Sequence, residues 1–130
     1  MSLRVQDWFK RLPKRHHPDF HWLFLGAAGA RTPLHVDPSA THAWLTQISG
    51  RKRFRLCAPS RVPELFKQRP PEMTSEALEV TLEPGDTLFV PAQWPHEVEC
   101  LDDSVSLTWN FLGRALFPQL RAAFLAHCAR

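Results

Sequence analysis

His35 and Asp37 stand two residues apart in Arg31-Thr32-Pro33-Leu34-His35-Val36-Asp37-Pro38, a stretch that reads as a β-strand. Strand side chains alternate faces, so this spacing aims an imidazole and a carboxylate to the same side. Two groups that are costly to bury, directed together into an apolar context, gain a reason if they share a metal ion. By itself the H-x-D pattern also fits a turn with a satisfied aspartate. A third candidate, His96 in Trp94-Pro95-His96, opens a later strand, and alone it reads equally as a packed histidine in a turn. Together the three make the 2-His-1-carboxylate set that holds non-haem Fe(II) on one face and leaves three positions open. Zinc accepts the same ligands, so ligand type alone leaves the metal unassigned.

Alternation on other strands adds to this set. Lys52, Phe54 and Leu56 share one face of their strand, opposite Arg51, Arg53 and Arg55. One lysine therefore falls on the apolar side, where a side chain that snorkels out at the strand start is the simpler explanation. Ser104, Ser106, Thr108 and Asn110 share a face opposite Val105, Leu107, Trp109 and Phe111. Such a strand is polar toward solvent, or polar toward a cavity if an outer helix covers its apolar side. His96 shares its face with Val98 and Cys100, which points it inward.

The elements that must position these residues are short strands. Eight are expected between Phe20 and Leu112: 20–25, 32–37, 43–48, 52–57, 77–82, 87–91, 96–101 and 104–112. Ser49-Gly50 between the third and fourth reads as a tight hairpin. Glu83-Pro84-Gly85-Asp86 and Asp102-Asp103 are further turns, and a proline-rich loop at 59–71 includes a helical turn at 63–66. Val5, Trp8, Phe9 and Leu12 predict an amphipathic helix over about 4–12, closed by Pro13. Leu120, Ala123, Phe124 and His127 predict a second helix within about 114–129. Eight strands with regular turns and no βαβ alternation predict an all-β sandwich or barrel of jelly-roll type.

The 130 residues fit a single domain over 1–130, with 44% hydrophobic and 22% charged residues, ordinary for a globular protein and unlike a disordered one. No apolar run approaches the roughly 20 residues that span a bilayer, so no membrane association is expected. Three widely spaced cysteines, Cys57, Cys100 and Cys128, read as reduced thiols, and with no secretory signal at the N-terminus they predict a cytoplasmic protein. The net charge of +3 concentrates in Lys10, Arg11, Lys14 and Arg15 and in Arg51, Lys52, Arg53 and Arg55. A solvated strand face and a basic terminus explain these clusters better than nucleic acid, because no nucleic-acid motif accompanies them.

The ordered motifs L-F-L-G-A-A-G-A-R-T-P-L-H-V-D-P, W-L-T-Q-I-S-G-R-K-R-F-R-L, L-E-P-G-D-T-L-F-V-P-A-Q-W-P-H-E-V and S-L-T-W-N-F resemble the Jumonji C (JmjC), cupin-like 2-oxoglutarate-dependent oxygenases. The resemblance covers about residues 20–112. It implies a double-stranded β-helix of eight strands with flanking N- and C-terminal helices. It implies Fe(II) bound by His35, Asp37 and His96, with no catalytic residue required beyond these ligands. It further implies that Lys52 pairs with the distal carboxylate of 2-oxoglutarate and that Thr32 hydrogen-bonds the same group. The parity of Thr32 differs from that of His35, so the strand must bend near Pro33. Thr108 and Asn110 match inward positions near co-substrate and metal. The implied activity is hydroxylation of a protein side chain or small molecule with 2-oxoglutarate and dioxygen, and a hydroxylase is favoured over a chromatin demethylase. Two positions depart from the family pattern: Leu45 stands where several relatives carry asparagine, and the chain has no tyrosine. Both favour the alternative, a metal-binding cupin-type scaffold or binding module without 2-oxoglutarate turnover. The apolar faces of the terminal helices fit a homodimer, as the resemblance implies, and equally fit the capping of their own barrel.

Overall fold

The computed structural model describes residues 7–67, 70–73, 76–118 and 121–122. Its strands are β1 (His21–Gly26), β2 (Arg31–His35), β3 (His42–Ser49), β4 (Lys52–Leu56), β5 (Leu78–Leu82), β6 (Thr87–Val90), β7 (His96–Cys100) and β8 (Ser104–Phe111). They form two four-stranded sheets ordered β1-β8-β3-β6 and β2-β7-β4-β5, with every pair antiparallel. Only β4 and β5 follow one another within a sheet. Every other connection crosses from one sheet to the other, so the chain winds as a double-stranded β-helix, the form of jelly roll that the family resemblance implies.

That winding overturns one local expectation. Ser49-Gly50 is not a hairpin, because β3 pairs with β6 and β8 while β4 pairs with β5 and β7. It is a corner between sheets. Gln47, fully buried, replaces the missing ladder there: its Nε2 donates to the carbonyls of Ser49 (2.8 Å) and Gly50 (3.0 Å). Gly50 takes φ +65°, and a Cβ there would lie 2.2 Å from the Asp103 carbonyl oxygen, so the corner needs glycine.

Of the two terminal helices, the N-terminal one differs from expectation and the C-terminal one is described only at its start. The described part of the first is a 3-10 turn, Trp8–Arg11, and a second 3-10 turn, Lys14–His16, follows it. Asp7 caps the first by accepting from the Phe9 N–H at 3.1 Å, and only Phe9 of the expected stripe is buried while Leu12 is exposed. Val5 lies outside the described residues. At the C-terminal end a 3-10 turn, Arg114–Leu116, leads into helical residues 117–118 and 121–122. The expected Leu120, Ala123, Phe124 and His127 stripe lies outside the described residues. The helical turn in the proline-rich loop is α1 (Val62–Leu65), which buries Leu65.

The core sits between the sheets: Ala43, Leu45, Phe54, Leu56, Leu82 and Val90 pack together. A satellite of Leu34, Cys57 and Leu65 lies under the proline-rich loop. On the outer face of the second sheet the basic cluster is paired across strands. Glu99 joins Arg31 (2.9 Å) and Arg53, Arg55 meets Glu97 (2.7 Å), and Arg51 meets Asp102 (2.7 Å). The arginines that looked like a solvated strand face therefore form ion pairs with Glu97 and Glu99 of β7 and with Asp102 just beyond it.

Candidate active site

The site lies at the mouth of the sandwich, where β2 and β7 run side by side. His35 is the direct cross-strand partner of His96, which brings their rings to 4.1 Å between centroids. Asp37 Oδ1 lies 3.7 Å from His35 Nε2 and 3.9 Å from His96 Nε2. The three donor atoms all fall within 4.8 Å of one another. The second histidine, far off in sequence, thus returns to the H-x-D motif through one register position.

Local backbone explains the orientation of each ligand. Between Thr32 and His35 the chain advances three residues while β7 advances two, from Val98 to His96. This extra residue is a β-bulge at Pro33-Leu34, where proline has no N–H to offer the ladder. It removes the parity conflict, so Thr32 and His35 both face the interior as the expected bend requires. Asp37 is placed differently from the simple alternation argument. β2 ends at His35, and Asp37 sits extended (φ −59°, ψ 142°) before a 3-10 turn, Pro38–Ala40, in which Ser39 has φ +59°. The turn aims its carboxylate, and the strand aims only the histidine.

The histidine tautomers are set from behind. His35 Nδ1–H donates to the Pro33 carbonyl at 2.8 Å, and His96 Nδ1–H donates to the Trp94 carbonyl at 3.0 Å. Each leaves Nε2 with its lone pair toward Asp37, the arrangement that backs metal-ligating histidines. His96 is buried, and burial is the largest influence lowering its pKa below the ordinary imidazole value, with the neighbouring His35 adding to it. A neutral imidazole is the ligand form. Among the described residues the Asp37 carboxylate caps no turn and has only the two imidazoles beside it.

A cavity of about 120 Å³ opens from these ligands. Lys52, Thr32, Thr108 and Asn110 line it, as do Trp22, Phe24 and Leu45. Lys52 does not snorkel out. Its ammonium is buried, donates to Ser106 Oγ and lies 5.5 Å from the centre of the Phe24 ring. Burial lowers its pKa, and among the described residues no carboxylate pairs with it. Thr108 Oγ1 is buried without a hydrogen-bond partner among the described residues. An uncompensated cation and an orphaned hydroxyl beside the same cavity are costly unless an acidic, oxygen-bearing molecule completes them. The donor set fits a metal ion, and the cavity beyond it fits a carboxylate.

Asn110 lines the cavity but also donates from Nδ2 to Thr41 Oγ1 at 3.0 Å. Thr41, Ser106 and Phe24 were not singled out as site residues by sequence reading. For Ser106 the signal was present, because the inward polar face of β8 includes it opposite the inward Lys52. Thr41 belongs to no pattern, and only the folded chain brings it to Asn110.

Two sheets wound as a double-stranded β-helix, with H-x-D at the end of the second strand and a histidine opening the seventh, define a cupin-type protein whose three clustered donors could hold a metal ion. The JmjC domain family model matches residues 20–115, and the chain belongs to that family. It is 32% identical to the Arabidopsis thaliana lysine-specific demethylase JMJ21 over 86% of this chain and 14% of that protein. It is 30% identical to the Homo sapiens 2-oxoglutarate and iron-dependent oxygenase JMJD4 over 72% of this chain and 27% of that protein. The chain therefore spans well under a third of the length of these two relatives. Its fold is shared by YcfD, a ribosomal oxygenase from Escherichia coli solved with cobalt and succinic acid, at a TM-score of 0.57 and 23% identity over 76% of this chain and 26% of that one.

Proposed function

We propose that the protein is an Fe(II)- and 2-oxoglutarate-dependent oxygenase that hydroxylates a protein side chain or a small molecule. The observation that carries this reading is the buried Lys52, a cation with no acidic partner among the described residues, in the same cavity as the His35, Asp37 and His96 donors. Family membership supports iron over zinc for these ligands. Iron, when bound, supplies the oxidising chemistry: dioxygen converts the 2-oxo acid to succinate and carbon dioxide and adds one oxygen atom to a substrate C–H bond.

The remaining work belongs to the chain. His35 and His96 offer Nε2 lone pairs because their Nδ1 protons are held by backbone carbonyls. Lys52 and Thr32 hold the far carboxylate of the co-substrate, and the ammonium gains the charge that burial denies it. Thr108 offers its free hydroxyl to the same molecule, with Asn110 beside it. Leu45, Phe24 and Trp22 wall the cavity with apolar surface, which limits water around these polar groups. No side chain is assigned as acid or base.

This reading treats the chain as one domain with its β-helix core over about 20–112 and places it in the cytoplasm. The free, buried thiol of Cys100 supports a reducing compartment. The two curated relatives are named a demethylase and an oxygenase, and hydroxylation is the reading preferred here. A second reading, a metal-binding cupin without 2-oxoglutarate turnover, is favoured by Leu45, which lines the cavity directly across the ladder from Thr108. Incubation with Fe(II), 2-oxoglutarate and air separates them. Succinate formation that is lost in His96→Ala supports the oxygenase, and a wild-type protein that binds iron but forms no succinate supports the second reading.

A further inference from the structure

Asp37 is the least supported of the three candidate ligands, since it lies past the end of β2 with no ladder partner. What fixes it is a buried relay from β8. Asn110 Nδ2 donates to Thr41 Oγ1 at 3.0 Å, and Thr41 Oγ1 donates to the Pro38 carbonyl at 2.9 Å. The Thr41 N–H closes on the same carbonyl at 3.3 Å. Thr41 and Asn110 are 1% and 3% exposed, so water does not compete for these bonds. Asn110 itself is anchored in the sheet by pairing with Ala43 and by its N–H, which donates to the Phe20 carbonyl at 3.0 Å. The relay therefore ties the residue immediately after Asp37 to a rigid strand of the opposite sheet.

Resting on the metal-site reading above, we propose that Thr41 and Asn110 are positioning residues that hold the Asp37 carboxylate in register with the two histidines. Thr41 touches neither the cavity nor the donor atoms, so its effect passes through the Pro38 carbonyl. The hydroxyl is needed in both of its roles, as acceptor from Asn110 and donor to Pro38. Valine matches threonine in shape and supplies neither. Serine supplies both.

The test is an anaerobic Fe(II) titration of the whole chain by calorimetry, followed by a 2-oxoglutarate titration at saturating Fe(II). Thr41→Val should weaken Fe(II) binding by about 10- to 100-fold, the range for groups that orient metal ligands. Its 2-oxoglutarate affinity at saturating metal should stay within about twofold of wild type, and Thr41→Ser should restore Fe(II) binding to the same margin. Asn110→Ala should weaken Fe(II) binding as well, and the double variant should be no worse than Thr41→Val. If Thr41→Val does not fold, Asn110→Ala should still weaken Fe(II) binding while Thr41→Ser matches wild type, and an Asn110→Ala with wild-type Fe(II) affinity then overturns the relay. A folded Thr41→Val with wild-type Fe(II) affinity overturns the relay, as does a Thr41→Ser as impaired as Thr41→Val, or additive losses in the double variant. A wild-type protein that takes up no Fe(II) overturns the metal reading instead, which separates the two failures.

Discussion

At Lys52 an ammonium is buried beneath Phe24 with a single hydroxyl acceptor, Ser106, and its pKa is lowered chiefly by desolvation. A group that weakens the folded chain yet faces the ligand cavity is expected where binding has been favoured over stability. Lys52→Met should therefore leave the metal-free protein at least as stable in thermal unfolding, because it removes a buried charge while keeping the volume. The same change should weaken 2-oxoglutarate binding by about tenfold or more, the worth of a charge-assisted hydrogen bond, with Fe(II) affinity nearly unchanged. Equal loss of both affinities would contradict the role given to Lys52. His96 sets a pH dependence with a definite sign. Its folded pKa lies below the ordinary 6.5, so between those two values the unfolded chain binds a proton that the folded chain refuses. Stability of the metal-free protein should be complete above pH 6.5 and fall as pH drops through that window, read as a falling urea midpoint. His96→Gln should flatten that slope.

Strands and corners show which parts of the design were legible in the sequence. The eight strands, the apolar-side position of Lys52 and the polar face of β8 follow from turn residues and period-two alternation, whereas the inward direction of that lysine and that face came with the family resemblance. The bend near Pro33 was also legible, because Thr32 and His35 could not otherwise face one cavity. What could not be read was which sheet each strand joins. A Ser-Gly corner between sheets and a Ser-Gly hairpin within one have the same local sequence, and only the pairing of β3 with β8 and of β4 with β7 distinguishes them. Asp37 shows the same limit, since H-x-D spacing suggests one strand face whereas a turn carries the carboxylate. Thr41 had no pattern at all. The corner gives a prediction of its own: Gly50→Ala should destabilise by about 1–3 kcal/mol in chemical denaturation, because its backbone is left-handed and Asp103 blocks the Cβ.

Across the whole molecule, polarity is partly inverted. The polar side of β8 faces inward, with Ser106, Thr108 and Asn110 all buried, while Leu107 on its other side is exposed. An all-apolar interior would be the more stable arrangement, so the buried hydroxyls, amide and lysine mark the interior as a binding space. Charge on the outside is spent in pairs, with Glu99 held well below the usual carboxylate range by Arg53 and Arg31. Glu99→Gln should lower the denaturation midpoint slightly, and the difference should vanish in about 1 M salt, where exposed pairs are screened. The account as a whole rests on metal and co-substrate meeting in this one cavity. Its most direct measurement is an anaerobic titration of the protein with Fe(II) and 2-oxoglutarate, followed by visible absorption. A weak charge-transfer band that needs both components, and is lost in His96→Ala, is the predicted result. Absence of any such band from the iron-loaded wild-type protein at saturating 2-oxoglutarate would contradict the account.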